Sequence, residues 1–425
     1  MHRMTWTGVV AGLVAGSVAM GWAGQQPSAP AAVPQAATSP AEDPIRELVA
    51  RLQLDRYKAT IKGLTQFGDR REGTQRNRDA VAWIAAQLQS YGCEPETMMY
   101  VPPAPAARAG GAGPTAQGPR AGGAGRGLGP LAEPVRNREG GSTLYGVRGR
   151  TGVNNDAALQ PDEALRALNA GPVLPAPFPQ VYCTKWGTTR PGEVYIIGAH
   201  MDGIGYGEAA NDNGSGTALV MELARIFNQP DVTTDVSIRF ALWNGEEGGL
   251  RGARAYVDQR AELQGRPDPQ RTGGVVEPTW LGMIQHDMMM WDHGMPRADG
   301  TLAPDQRPEA DFNIEWQSNS TMAEASARLA LTVKLAADKY STTYPAVLGP
   351  HMTNTDSTPF MNVVPAISLR ENERGMHTGA GWNPHWHQPT DLFSTFADKD
   401  FMLGLNAAQA TLAAVAELAG VKVRQ

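Results

Sequence analysis

Five short clusters in this sequence carry side chains that bind metal ions or move protons. His200 and Asp202 follow a β-branched run at 194–198. Asp212 opens Asp-Asn-Gly-Ser-Gly ahead of a helix-patterned segment. Glu246 and Glu247 follow a second apolar run, Val236–Trp243. Asp287 ends a third, at 280–286, and His387 lies in His-Gln-Pro-Thr-Asp near the C-terminus. Imidazole nitrogen and carboxylate oxygen are the donors that zinc takes, and a catalytic site leaves a position open for water. A two-metal site wants about five such ligands, one of them a shared carboxylate, plus a carboxylate that is not a ligand and can act as base. Glu246 and Glu247 are adjacent, so their side chains diverge and can divide those two tasks. Asp202 lies where it can orient His200 or a neighbouring ligand, as supporting carboxylates do. The small residues after Asp212 permit a tight turn and close backbone approach. Singly each cluster has a bland reading: a His-x-Asp is weak, and Glu-Glu after a strand is often a solvated turn. Five clusters in order, most of them at the end of a strand-like run, carry the functional one.

Positioning these residues requires strands that end together. Apolar spacing predicts helices over 44–60, 77–91, 161–169, 217–227, 252–263, 323–339 and 401–418. Strand-like runs occupy 94–101, 180–186, 193–198, Val236–Trp243, 280–286 and 365–369, with 180–186 and 193–198 expected to pair through the turn-rich 187–192. Strands alternating with helices predict an α/β fold of three layers, α/β/α, with a mixed, largely parallel central sheet flanked by helices. In such sheets ligands bind outside the carboxyl ends of the strands, where the clusters fall.

Hydrophobic residues make up 41% and charged residues 19% of 425, which suits a chain with a sizeable core. A net charge of −6 argues against nucleic acid as a partner. His2 and Arg3 precede an apolar stretch at 7–20, and Gly21-Trp22-Ala23 offers a cleavage site, so 1–23 reads as a signal peptide cleaved near Ala23. That stretch is too short and Gly-rich for a membrane span, and the expected location is periplasmic or secreted. Residues 24–43 form an Ala/Pro-rich linker. Residues 44–425 read as a single domain carrying a Gly/Ala/Pro-rich insertion at 102–141 that lacks the apolar side chains to offset its ordering entropy.

From about Leu54 onward, the succession His-x-Asp, Asp-Asn-Gly-Ser-Gly and Trp-Asn-Gly-Glu-Glu-Gly resembles the M28 family of zinc-dependent exopeptidases. The resemblance implies that His200, Asp212, Glu247, Asp287 and His387 are ligands of two zinc ions per chain, with Asp212 bridging. It implies that Glu246 is the general base and acid, that Asp202 is the supporting aspartate, and that peptides are the substrates. Asp356-Ser357-Thr358-Pro359-Phe360 resembles a further family signature near the substrate pocket, where Ser357 replaces a frequent histidine. The gap from Glu247 to Asp287 is longer than usual because of a polar insertion at 265–274. The resemblance also makes the runs around Cys93 and Cys183 neighbouring strands; a disulfide is favoured over two buried thiols, since an exported protein with two cysteines tends to pair them.

His286 rivals Asp287, but neighbours in a strand face opposite ways and one alone can reach the site. His385 rivals His387, whose spacing to Pro389 and Asp391 fits the family. His293, His351 and His377 lack motif support. Met288, Met289 and Met290 read as core filler, and Trp291, Trp382 and Trp386 as pocket lining or packing. The leading expectation is an exported aminopeptidase. Three alternatives stand beside it: a carboxypeptidase on the same scaffold, a single-zinc glutaminyl cyclase-like acyltransferase, and an inactive binding module.

Overall fold

The computed structural model describes residues 43–102, 153–268, 276–293, 303–349, 355–372 and 383–424. The expected signal peptide, the linker except Asp43, and nearly all of the 102–141 insertion lie outside them, as do His351, His377 and Trp382. The elements in chain order are α1 (Pro44–Ala50), α2 (Leu54–Thr65), α3 (Gln75–Ser90), β1 (Pro95–Tyr100), α4 (Glu163–Asn169), β2 (Phe178–Lys185), β3 (Arg190–His200), α5 (Gly214–Phe227), β4 (Val232–Thr233) and β5 (Val236–Trp243). There follow α6 (Arg251–Arg260), β6 (Thr279–Asp287), β7 (Phe312–Glu315), α7 (Ala323–Tyr340), β8 (Ala346–Leu348), β9 (Ala366–Glu371), α8 (Asp398–Leu418) and β10 (Lys422–Val423).

Eight strands form one mixed sheet in the order β1-β2-β5-β3-β6-β9-β7-β8. Its centre, β5-β3-β6-β9, is parallel, and β1, β2 and β7 join through antiparallel pairings. This is the expected three-layer fold with a largely parallel sheet. One pairing differs. β2 and β3 are not neighbours, because β5 lies between them. Every residue of β5 is buried, so it needs cover on both faces and a strand on both edges, and this outweighs the preference of consecutive strands to pair. The helix expected over 44–60 is two helices. Arg51 turns out of α1 to pair with Asp231 at 2.6 Å, and the chain is extended at Gln53. Apolar spacing continues through that break, so periodicity does not reveal it.

Alternation along the strands feeds two cores. Ile238, Phe240 and Leu242 of β5 face the larger one, shared with α1, α2, α5, α7 and α8. Ala241 and Trp243 face the smaller one, against Tyr256 of α6, Trp280 and Phe360. There the Trp243 ring lies 5.0 Å from Tyr256 and 5.7 Å from Phe360, centroid to centroid. These rings fix the end of β5, three residues before Glu246. Truncating one to alanine costs about 3–5 kcal/mol. α8 is long and apolar enough to cross a membrane by composition, but 83% of its apolar window is buried inside the protein, as in a core helix. Cys93 and Cys183 form a disulfide, with their Cα atoms 5.7 Å apart, and it ties the entry to β1 onto β2.

Candidate metal centre and active site

β3 delivers His200 as its last residue, 1% exposed. Its Nδ1 lies 3.0 Å from the backbone carbonyl of Asp202. That oxygen can only accept, so Nδ1 carries a proton, and Nε2 is the nitrogen whose lone pair a metal could take in place of its proton. Nε2 lies 3.4 Å from Asp212 Oδ1 and 3.3 Å from Asp287 Oδ1. The loop after His200 is fastened by Arg70, whose fully buried guanidinium donates to the carbonyls of Met201, Gly68, Glu208 and Ala209. Gly205 in this loop has φ +100°, and a Cβ there would meet the His387 backbone at 2.4 Å, so glycine is required where the two loops touch.

Asp212 ends the same loop. Its N–H donates to Asp391 Oδ2 at 3.0 Å, and that of Asn211 to Asp391 Oδ1 at 2.8 Å. Asn213 then caps α5 by accepting from Gly216 N–H. The two carboxylate oxygens of Asp212 face different imidazoles: Oδ1 faces His200, and Oδ2 lies 2.9 Å from His387 Nε2. His387 Nε2 is also 2.9 Å from Glu247 Oε2, and its ring stacks on Trp386 at 3.8 Å. Asp287, the last residue of β6, is buried.

Asp202 is buried and joins the cluster from beneath. Its Oδ1 accepts from Glu246 N–H at 3.1 Å and its Oδ2 from Glu247 N–H at 3.3 Å. Its carboxylate therefore orients the Glu-Glu turn, while its backbone carbonyl orients His200. Gly245, with φ +73°, lets that turn pass Glu72, whose carboxylate receives Tyr100 and Arg251.

Potential ligand atoms thus form three groups, each within 4.8 Å: His200, Asp212 and Asp287; Asp212, Glu247 and His387; and His200, Glu246 and Glu247. The first two share Asp212. Six of the seven residues singled out in the sequence lie in these groups, and the seventh, Asp202, is bonded to their backbone and to His200. The rivals do not join them. His286 is fully buried between the Gly198 carbonyl and Thr411, and burial pulls its pKa down to about 4. His385 meets Thr390, and His293 meets Asp400. Met289 and Met290 are core, and Trp291 is buried against His293.

Sequence reasoning left three contributors unassigned. Asp391 was legible through its spacing from His387. Asp356, named only as part of a pocket signature, is fully buried and accepts from Gln285. Arg70 sits in an Asp-Arg-Arg-Glu run that reads as surface charge. Six carboxylates, of Asp202, Asp212, Glu246, Glu247, Asp287 and Asp356, therefore crowd around two imidazoles, and the Arg70 guanidinium near Asp202 and Asp212 also faces Asp391 and Asp69. Burial lifts the Glu247 carboxyl to about 7 and that of Glu246 well above the usual range, with neighbouring carboxylates adding to the rise. Burial pulls the histidines down, but the carboxylates around them win; His387 rises to about 10 and His200 well above its ordinary value. Glu247 Oε1 is buried with no hydrogen-bond partner among the described residues. Surplus buried negative charge with an unpartnered oxygen is costly unless cations neutralise it. The nitrogen and oxygen donors fit zinc.

The model of peptidase family M28 matches residues 181–413, more than half of the chain. Aminopeptidase YwaD of Bacillus subtilis is 43% identical over 75 residues, which cover 18% of this chain and 16% of that protein. An aminopeptidase of Pseudomonas aeruginosa is 31% identical over 131 residues, 31% of this chain and 24% of that protein. The matched stretches span about a fifth of the length of these curated relatives. Among solved structures, BSAP, a zinc aminopeptidase from Bacillus subtilis, superposes with TM-score 0.55 at 17% identity, covering 88% of this chain and 96% of that one. Porphyromonas gingivalis glutaminyl cyclase superposes with TM-score 0.51 at 15% identity, covering 86% and 99%. Fold, ligand-type residues and family match agree: the chain belongs to peptidase family M28.

Proposed function

We propose that this chain is an exported dinuclear-zinc exopeptidase that removes N-terminal residues from peptides. Asp212 carries the reading, because its two carboxylate oxygens face two imidazoles on different loops. His200, Asp212 and Asp287 would hold one ion, and Asp212, Glu247 and His387 the other. When bound, such a pair lowers the pKa of water toward neutrality and polarises the scissile carbonyl. Glu246 belongs to neither triad. It accepts the proton of the attacking water and returns it to the leaving amine, and Asp202 holds its turn in place through the two backbone N–H groups.

The negative surplus favours a substrate that brings a free ammonium group. A carboxypeptidase needs a cation for the substrate's carboxylate; among the described residues Arg70, one guanidinium beside the cluster, is fully buried and spends its donors on four carbonyls, and Arg251 is paired with Glu72. The names of the curated relatives agree with the aminopeptidase reading. Export, with cleavage near Ala23, rests on the N-terminal sequence, and so does the division into signal peptide, linker (24–43) and one peptidase domain (44–425).

Three peptides test the activity: one with a free N-terminus and an amidated C-terminus, one N-acetylated with a free C-terminus, and one beginning with glutamine. Release of N-terminal residues from the peptides with a free N-terminus, and none from the N-acetylated one, is the expected result. Release of the C-terminal residue from the second would establish a carboxypeptidase. Ammonia and a cyclised N-terminus from the third, without hydrolysis, would establish the glutaminyl cyclase reaction that one structural neighbour is named for. No turnover of any of them would leave a binding module.

A further inference from the structure

Glu371, the last residue of β9, is 2% exposed and lies outside the ligand cluster. Its Oε2 accepts from Asn211 Nδ2 at 2.8 Å, Trp291 N–H at 2.9 Å and Met290 N–H at 3.3 Å. Its Oε1 accepts from Asn383 Nδ2 at 3.2 Å. These donors sit on three loops. Asn211 immediately precedes Asp212, Met290 and Trp291 follow Asp287 by three and four residues, and Asn383 precedes His387 by four. Asn211 strengthens the junction, because its Oδ1 accepts from Met289 N–H at 3.0 Å. The Asn383 amide cannot turn over freely, since its Oδ1 accepts from His385 N–H at 2.9 Å.

We infer that Glu371 is a positioning residue that holds the loops bearing Asp212, Asp287 and His387 in register and thereby sets how tightly the metal pair is retained. The inference rests on reading the cluster as a metal centre. The chemistry requires a carboxylate. Among the described residues four donors converge on two oxygens, and an ionised carboxylate accepts on both without turning a proton toward any of them. A glutamine keeps the shape but has one acceptor oxygen. Placed toward Asn211, Met290 and Trp291, it sets an NH2 against the NH2 of Asn383. The junction to the His387 loop then fails while the other survives.

The test compares the wild-type chain with Glu371→Gln, measuring zinc release to a chromophoric chelator, kcat and KM at saturating zinc, and the melting temperature of the chelator-stripped protein. Removing the groups that orient metal ligands typically weakens metal affinity about 10–100-fold. The expected result is that weakening, with about half of the zinc leaving in an early phase because one ligand triad depends on His387. At saturating zinc, kcat returns to within about threefold of wild type and KM is unchanged. Asn383→Ala, which removes the His387-side contact to Glu371 together with the bond from His385 N–H, reproduces the early phase and serves if Glu371→Gln does not fold. Val333→Ala, on the buried face of α7, controls for general destabilisation: it lowers the melting temperature without an early phase. Unchanged zinc release in both Glu371→Gln and Asn383→Ala would overturn the positioning role alone. The same early phase in Val333→Ala would overturn it as well. A wild-type chain that holds no zinc would overturn the metal-centre reading and this inference together.

Discussion

Replacing Glu246 by glutamine separates chemistry from metal binding. The substitution keeps the volume of a buried side chain and removes its ability to take a proton. Glu246 belongs to neither of the two triads that share Asp212, so both sets of ligands remain. The Asp202 carboxylate still receives the N–H groups of residues 246 and 247, because those bonds involve the backbone. The loss is therefore that of a general base, about 10²–10⁴-fold in kcat, or roughly 2.7–5.4 kcal/mol of transition-state stabilisation. KM should move little, since Glu246 is not asked to bind the ground state. Glutamine is neutral without taking up a proton, so the substitution should also make the metal-stripped protein more stable at neutral pH, where burial and neighbouring carboxylates hold the Glu246 carboxyl well above its ordinary range. The assay is kcat and KM on an amino-acid anilide, with zinc per chain measured on the same preparation. Activity within tenfold of wild type would refute the role of Glu246. Zinc lost in proportion to activity would show that Glu246 is a ligand, and the division of labour between the two glutamates would be wrong.

Three further predictions follow from the same geometry. Asp212→Ala removes the carboxylate common to both triads and should abolish zinc retention as well as activity; zinc content near wild type would contradict the shared ligand. In the metal-stripped protein, burial lifts the Glu247 and Asp391 carboxyls to about 7. Groups raised in the folded state contribute stability that is present below their unfolded pKa and lost as pH rises through the folded value. His387, raised to about 10 by Glu247 and Asp212 against the pull of burial, has the same sign at higher pH. Stability of the stripped protein should therefore fall between about pH 4.5 and 7, by on the order of 5 kcal/mol for the two carboxyls together, and continue falling toward pH 10. Zinc-loaded protein, where metal replaces those protons, should stay nearly level, and denaturant melts of both forms across this range decide the matter. Replacing Cys93 and Cys183 by serine opens a loop with a sequence separation of 90 and should cost about 2–5 kcal/mol. An unchanged unfolding midpoint in the double variant would show that the bridge contributes nothing.

The candidate site was legible because metal chemistry restricts residue types. His200, Asp212, Glu247, Asp287 and His387 are the donors zinc accepts, and most of them follow runs that can only be buried strands. What holds those ligands was less legible. Arg70 and Glu371 are charged residues in polar surroundings, and in sequence they resemble surface charge; only the folded chain shows one meeting four carbonyls and the other three loops. The layers of the fold followed from alternating strand and helix patterns, but strand order did not. β5 comes between β2 and β3 because its continuous burial demands the middle of the sheet, a consequence of tertiary packing. β7 and β8 have four and three residues, too short for an alternating pattern to rise above the surrounding loops.

Zinc per chain tests the central claim most directly, measured by elemental analysis on protein purified without chelator and again after zinc add-back. The account predicts about two zinc ions per chain, both lost on Asp212→Ala. One ion per chain after add-back would contradict the shared-carboxylate centre and favour a single-zinc enzyme of the cyclase type. No zinc at all would remove the enzymatic reading.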